Sequence, residues 1–267
     1  MLEKDIFMYR AYIATNRYRV VLDEISQNES GDLLAMRLLA DYLINKNKFD
    51  DLIQIFEKKI QDSEELHVIW KIIASIIYVH ENSFEDALRL LNGQTDMECL
   101  AMTVYVFLRM SRLDLAKKVL AAMTEKNDDD TLTQLAQSWL NIEMGGDKLQ
   151  DAFYILDDFN EKFSSSVLLL NNLAVCAMGQ GKFDEDTSTH LRDGLDKEPN
   201  NYDLLVNNIF FTQQTDKNAE TVINRNLSLL KDTSKNSELV EDLAKKDAEF
   251  DRLCLNYQFK GAEKATA

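Results

Sequence analysis

The sequence predicts an all-α protein, a superhelix of stacked antiparallel helix pairs finished by a C-terminal capping helix. Three observations carry this expectation. Only one proline, Pro199, and eight glycines occur in 267 residues, too few turn formers for a sheet-rich chain. Apolar residues make up 45%, enough to bury a core and to exclude wholesale disorder. Helix-breaking spots also recur about every 34 residues, each followed by an aromatic residue or leucine and an amphipathic run.

The recurring pieces are "TNRYRVVLDEI", "KNKFDDLIQIF", "ENSFEDALRLL", "MSRLDLAKKVL", "GGDKLQDAFYIL" and "QGKFDED". Their anchors are Tyr18, Phe49, Phe84, Leu113, Leu149 and Phe183, separated by 31, 35, 29, 36 and 34 residues. That interval fits one helix-turn-helix unit of a tetratricopeptide repeat. A small residue three places after the anchor lets the paired helices approach, and Ala87, Ala116 and Ala152 supply it. Val21 and Leu52 hold the place in the first two units, so those pairs are expected to stand further apart. The preceding helices space apolar residues by three and four, as in Met36, Leu39, Ala40, Leu43 and in Leu100, Val104, Phe107. Gly145-Gly146 falls where other units carry Asn16, Asn47, Asn82 and Ser111. Glycine there permits the positive φ that ends a helix, so the pair reads as a hinge and not as a ligand loop.

After Asn201 the pattern weakens into two helices without a clean anchor. The segment "ELVEDLAKKDAEFDRLCLNYQ" then places Leu243, Phe250, Leu253, Cys254 and Tyr257 on one helix face, as the end cap of a solenoid would. The sequence is therefore read as one tetratricopeptide-type domain over 1–257, followed by a disordered tail over 258–267.

A formal charge of −16 repels phosphate backbones and anionic lipid, so nucleic acid and direct membrane binding are not expected. Cys99, Cys176 and Cys254 are scattered, with no CxxC, which suits buried thiols in a reducing compartment. The start "MLEKDIFMYR" lacks a signal-peptide core. The most apolar segment, "VIWKIIASIIYV" over 68–79, contains Lys71 and is too short to span a bilayer. A soluble, cytosolic chain is expected.

Motifs that could carry chemistry each read more simply as structure. "DDFNE" supplies Asp157, Asp158 and Glu161, as a magnesium-binding all-α enzyme would. The apolar face of that helix is Phe153, Leu156 and Phe159, which leaves Asp157 and Glu161 on the solvated side. "GQGKF" lacks the spacing of a phosphate loop and follows a helix. "NDDD" precedes Thr131 and favours a helix start. His67, His80 and His190 are too scattered for zinc. No catalytic, cofactor or metal residue is assigned.

The first helix of each pair in such a repeat lines the concave surface. In 68–79 the folding face uses Ala74, Ser75 and Tyr78, which leaves Ile69, Ile72, Ile76 and Val79 toward the groove. Tyr105 and Leu108 continue that line, and Val175 and Met178 fall on it further along. A helix apolar almost all round must be covered on more than one side. These eight residues are thus the candidate partner-binding set, with cover by neighbouring repeats or the C-terminal helix as the alternative. A groove gripping short peptide tails, as in an adaptor or co-chaperone, would need basic residues and asparagines. Asn171, Asn207 and Asn208 meet half of that requirement.

The blocks "NDDDTLTQLAQSWLNIEMGGDKLQDAFYIL", "MSRLDLAKKVL", "ECLAMTVYVFLRM", "LLLNNLAVCAMGQGKF" and "AKKDAEFDRLCLNY" together resemble the epsilon subunit family of coatomer, from about Asp5 to Tyr257. The resemblance implies a tetratricopeptide superhelix curled around the C-terminal region of the alpha subunit. It implies a place in the COPI vesicle coat, touching other coat subunits and the membrane only indirectly, in Golgi–endoplasmic reticulum transport. Neither catalysis nor a cofactor is implied. Family members carry a further N-terminal helical segment, so an abrupt start at Met1 is expected to leave an apolar flank around Phe7 and Tyr12. The stretch "DEDTSTHLRDGL" also departs from the family, one residue longer, with Asp186 or Thr187 where alanine is usual.

Overall fold

The computed structural model describes residues 2–26, 31–45, 49–62, 67–215, 219–234 and 237–257. Among them all regular structure is helical. Asn47 and the tail 258–267 lie outside the described residues. The chain divides into two compact units, 1–144 and 145–267, the division falling at the glycine pair.

The first unit holds four helix pairs and one further helix. The pairs are α1 (Leu2–Ala14) with α2 (Tyr18–Glu24), α3 (Asp32–Ile44) with α4 (Phe49–Asp62), α5 (Val68–His80) with α6 (Phe84–Leu91), and α7 (Met97–Arg109) with α8 (Leu113–Lys126); α9 (Thr131–Met144) follows. The first helices stack in order, α1 on α3, α3 on α5, α5 on α7 and α7 on α9. In the second unit α10 (Lys148–Phe163) packs on α11 (Val167–Gly179), which pairs with α12 (Glu185–Lys197). Then α13 (Tyr202–Thr215) pairs with α14 (Glu220–Thr233), and α15 (Glu238–Asn256) ends the described chain.

One turn geometry explains the repeat. Asn16, Asn82, Ser111 and Gly181 take φ values of 60°, 59°, 57° and 75°. The residue after each sends its N–H back five positions, Arg17 to Tyr12 O, Ser83 to Tyr78 O, Arg112 to Phe107 O and Lys182 to Ala177 O. This six-to-one bond closes the last turn of the first helix and satisfies a carbonyl that would otherwise be orphaned. Gly145 and Gly146 both lie at positive φ, 68° and 58°, and an added Cβ would meet nothing within 4 Å at either. Backbone conformation, and not crowding, therefore favours glycine there, most of all because two successive residues take positive φ.

The packing follows the sequence register, with its weight shifted. Ala87, Ala116 and Ala152, and Val21 and Leu52, are all buried, whereas the anchors Tyr18, Phe84, Leu113 and Phe183 are only half-buried. Leu149 is buried, and the side chain of the anchor Phe49 lies outside the described residues. Leu149 presses against Gly179, where a Cβ would come within 2.8 Å of its Cδ1.

Around Phe183 the register slips by one. Asp184, the residue after the anchor, caps α12 where the residue before the anchor caps α2, α6 and α8, and it accepts from the Thr187 N–H at 3.0 Å and from the Thr187 hydroxyl at 2.8 Å. Thr187 also bonds the carbonyl of Lys182. The helix therefore starts at Glu185, two residues after the anchor, whereas α2, α6 and α8 start at theirs, and buried Thr187, one place on from the alanine position, takes the alanine's place while Asp186 faces solvent.

The C-terminal expectation needs correcting in one respect. α15 forms, but the face assigned to an end cap is bare. Phe250, Leu253, Cys254 and Tyr257 are exposed, and Leu255 is 88% exposed. Leu243 is half-buried.

Candidate functional site

The groove candidates in the first unit occupy the side formed by the first helices of the pairs. Arg10 of α1, Met36 and Leu39 of α3, and Ile69, Ile72 and Ile76 of α5 line one small recess. Ile69 and Ile76 remain half-exposed, whereas Ile72 and Val79 are buried in the core with Ala74, Ser75 and Tyr78. The i, i+3, i+4 rows of α5 account for this split. Ile69, Ile72 and Ile76 share one row and line the recess, while Ile72 and Val79 also lie in the core cluster that α5 shares with α3, α6 and α7.

Tyr105 stays half-buried and meets Trp139 edge-on, with ring centroids 5.9 Å apart. Leu108 is buried beneath them in the cluster shared with α8 and α9. Trp139 is thus a member of this surface that sequence reasoning missed. Its position 34 residues after Tyr105, one repeat on, was the available signal. Above the recess, Arg10 holds Glu98 of α7 in a two-point ion pair, with Nη2 2.6 Å from Oε1 and Nη1 3.2 Å from Oε2.

In the second unit Val175 is half-buried and Met178 is buried among Ala174, Leu191 and Phe211. Of the eight candidates, then, Ile69, Ile76, Tyr105 and Val175 keep apolar surface open, and Ile72, Val79, Leu108 and Met178 serve the core. Neighbouring helices cover half of the set.

Two of the three asparagines of the peptide-clamp alternative are bonded to each other. Asn207 Nδ2 donates to Asn171 Oδ1 at 2.8 Å between α13 and α11. In the aspartate-rich segment Asp158 pairs with Lys162 at 2.5 Å. Among the described residues no cluster of three or more His, Cys, Asp or Glu side chains could hold a metal ion. His67 instead approaches Asp32, with Nδ1 3.3 Å from Oδ2. Burial pushes the thiols of Cys99 and Cys176 up to about 11, so neither is poised as a nucleophile. No helix among the described residues is long and apolar enough to cross a membrane.

Stacked helix pairs with this turn and an apolar row on their first helices define a tetratricopeptide-type repeat protein. A tetratricopeptide repeat protein from Parabacteroides merdae superposes with a TM-score of 0.65, covering 91% of this chain and 97% of its own, at 11% identity. The family model described as coatomer epsilon subunit matches residues 1–258. Coatomer subunit epsilon-2 of Arabidopsis thaliana is 33% identical over 94% of this chain and 84% of its own length. Coatomer subunit epsilon of Dictyostelium discoideum is 34% identical over 77% and 70%. The chain belongs to the coatomer epsilon subunit family, the family of a COPI coat subunit.

Proposed function

We propose that this protein is a non-catalytic scaffold of the COPI coat that holds the C-terminal region of the alpha subunit against the first-helix face of its repeats. It would then act in Golgi–endoplasmic reticulum transport, on the cytoplasmic side, and reach Golgi and vesicle membranes only through the coat. The carrying observation is the row of half-exposed apolar side chains, Ile69, Ile76 and Tyr105 with Trp139, on helices whose other faces are already packed. Such a row beside a net charge of −16 favours an apolar insertion over a charged tail. Ile72, Val79 and Leu108 support it from beneath, and Val175 with Met178 extends the same pattern into the second unit.

The adaptor or co-chaperone reading is weaker, because two of its three asparagines are bonded to each other and basic residues are absent from the row. Co-expression with the C-terminal region of the alpha subunit, followed by size exclusion, tests the proposal. Co-elution as one species is expected, and separate elution would reject it.

A further inference from the structure

The second unit has a recess on its other side, between the second helices α12 and α14, with α13 as its floor. It is open, about 510 Å³ in volume. Its polar lining is Ser188, Arg192 and Asp196 of α12, Asn208 of α13, and Arg225 and Asn226 of α14. Leu195, Leu205 and Val222 make it half apolar. The first unit has a recess in the equivalent place, between α6 and α8 over α7, lined by Leu88, Leu100, Phe107 and Val119. There the one arginine, Arg89, is already paired with Asp86 at 2.9 Å.

The second recess is different in two independent ways. Arg192 spends one donor on the Thr189 hydroxyl at 3.2 Å, and among the described residues no carboxylate pairs with Arg192 or Arg225. Two unpaired guanidinium groups at one pocket stand out in so acidic a chain. Asn226, only 7% exposed, has a side-chain nitrogen without any hydrogen-bond partner. A buried amide donor left unmade is costly and is normally met by a ligand, water or ion.

We propose that this recess binds an acidic side chain of a partner protein, an aspartate or glutamate next to an aliphatic residue. Arg192 and Arg225 take the carboxylate through charge-assisted hydrogen bonds. The Asn226 amide, after rotation, adds a donor, and Leu195, Leu205 and Val222 receive the aliphatic neighbour. Asp196 reduces the two positive charges to a net of one, which matches a carboxylate better than a dianionic phosphate. This site is separate from the first-helix face, so it stands or falls without the alpha-subunit reading.

The test uses the full chain and the peptide Gly-Leu-Asp-Glu-Leu-Gly-amide carrying carboxyfluorescein on its N-terminal amine, followed by fluorescence anisotropy. Saturable binding that weakens with salt is expected, together with no binding of the Asn/Gln version. Arg192→Gln with Arg225→Gln should weaken binding at least about tenfold without moving the melting temperature, since both side chains are exposed. Arg89→Gln in the other recess should leave affinity unchanged. Equal binding by the double variant, equal binding of the neutral peptide, or a loss with Arg89→Gln would overturn the proposal. Tighter competition by inorganic phosphate than by the unlabelled peptide would overturn the assignment of a carboxylate.

Discussion

Arg10 and Glu98 lie 88 positions apart in sequence and are joined by two hydrogen bonds, of 2.6 and 3.2 Å. The pair ties the first helix of the first repeat to the first helix of the fourth, over the recess that Ile69 and Ile76 line. Its side chains are 36% and 32% exposed, so screening limits its value to roughly 0.5–1 kcal/mol. A double-mutant cycle with Arg10→Ala and Glu98→Ala, read by urea unfolding, should return a coupling of that size. The coupling should shrink in high salt. A coupling of zero would mean the pair does not hold the face together.

The weight of the repeat sits three places after the anchor. Ala87 is fully buried where α5, α6 and α7 meet, so Ala87→Leu should cost about 1–3 kcal/mol through overpacking. Phe84 is only half-buried, and Phe84→Ala should cost roughly 2 kcal/mol, below the range for a fully buried ring. Thermal unfolding of both variants checks the register. An unchanged melting temperature for Ala87→Leu would show the helices further apart than described.

The Asp184 carboxyl is held below the usual carboxylate range, chiefly by the Thr187 N–H and then by the Thr187 hydroxyl. A lowered folded value means the cap stabilises fully above about pH 4, the unfolded value. Its contribution is lost as pH falls through the lower folded value. Asp184→Ala should therefore cost about 1 kcal/mol at pH 7, with the gap to the parent closing in acid. A gap independent of pH would rule out the carboxylate cap.

The three thiols differ sharply. Cys99 and Cys176 are buried, and burial pushes both up to about 11, whereas Cys254 lies exposed on α15. Ellman's reagent at pH 8 should label one thiol rapidly in the folded protein and three in denaturant. Fast labelling of more than one would contradict the core packing around α7 and α11.

Much of this fold was legible because the signal is local. Turn residues at Asn16, Asn82 and Ser111 and alanines at 87, 116 and 152 are set by contacts inside one helix pair, and a single sequence displays them. Side-chain capping is subtler. Asp184 displaced the start of α12 to two residues after the anchor through its bonds to Thr187, and an acidic residue after an anchor gives no unique warning of that. Amphipathicity marked the apolar face of α15 but could not say what covers it, and Phe250, Leu253 and Leu255 are exposed. The groove was half legible for a related reason. Helical periodicity put Ile72 and Ile76 on one row, but only tertiary packing separates a buried isoleucine from an open one. The Arg10–Glu98 pair and the partnership of Tyr105 with Trp139 needed the tertiary structure.

The central claim is that the half-exposed apolar row on the first helices is a docking face. The most direct measurement is the affinity of the C-terminal region of the alpha subunit for the parent chain and for an Ile69→Asp, Ile76→Asp variant. Calorimetry should show a loss of at least about a hundredfold, with helix content and melting temperature retained. Unchanged affinity would place the partner elsewhere, and collapse of the helical fold would show that the row is already filled by the protein itself; either result contradicts the account.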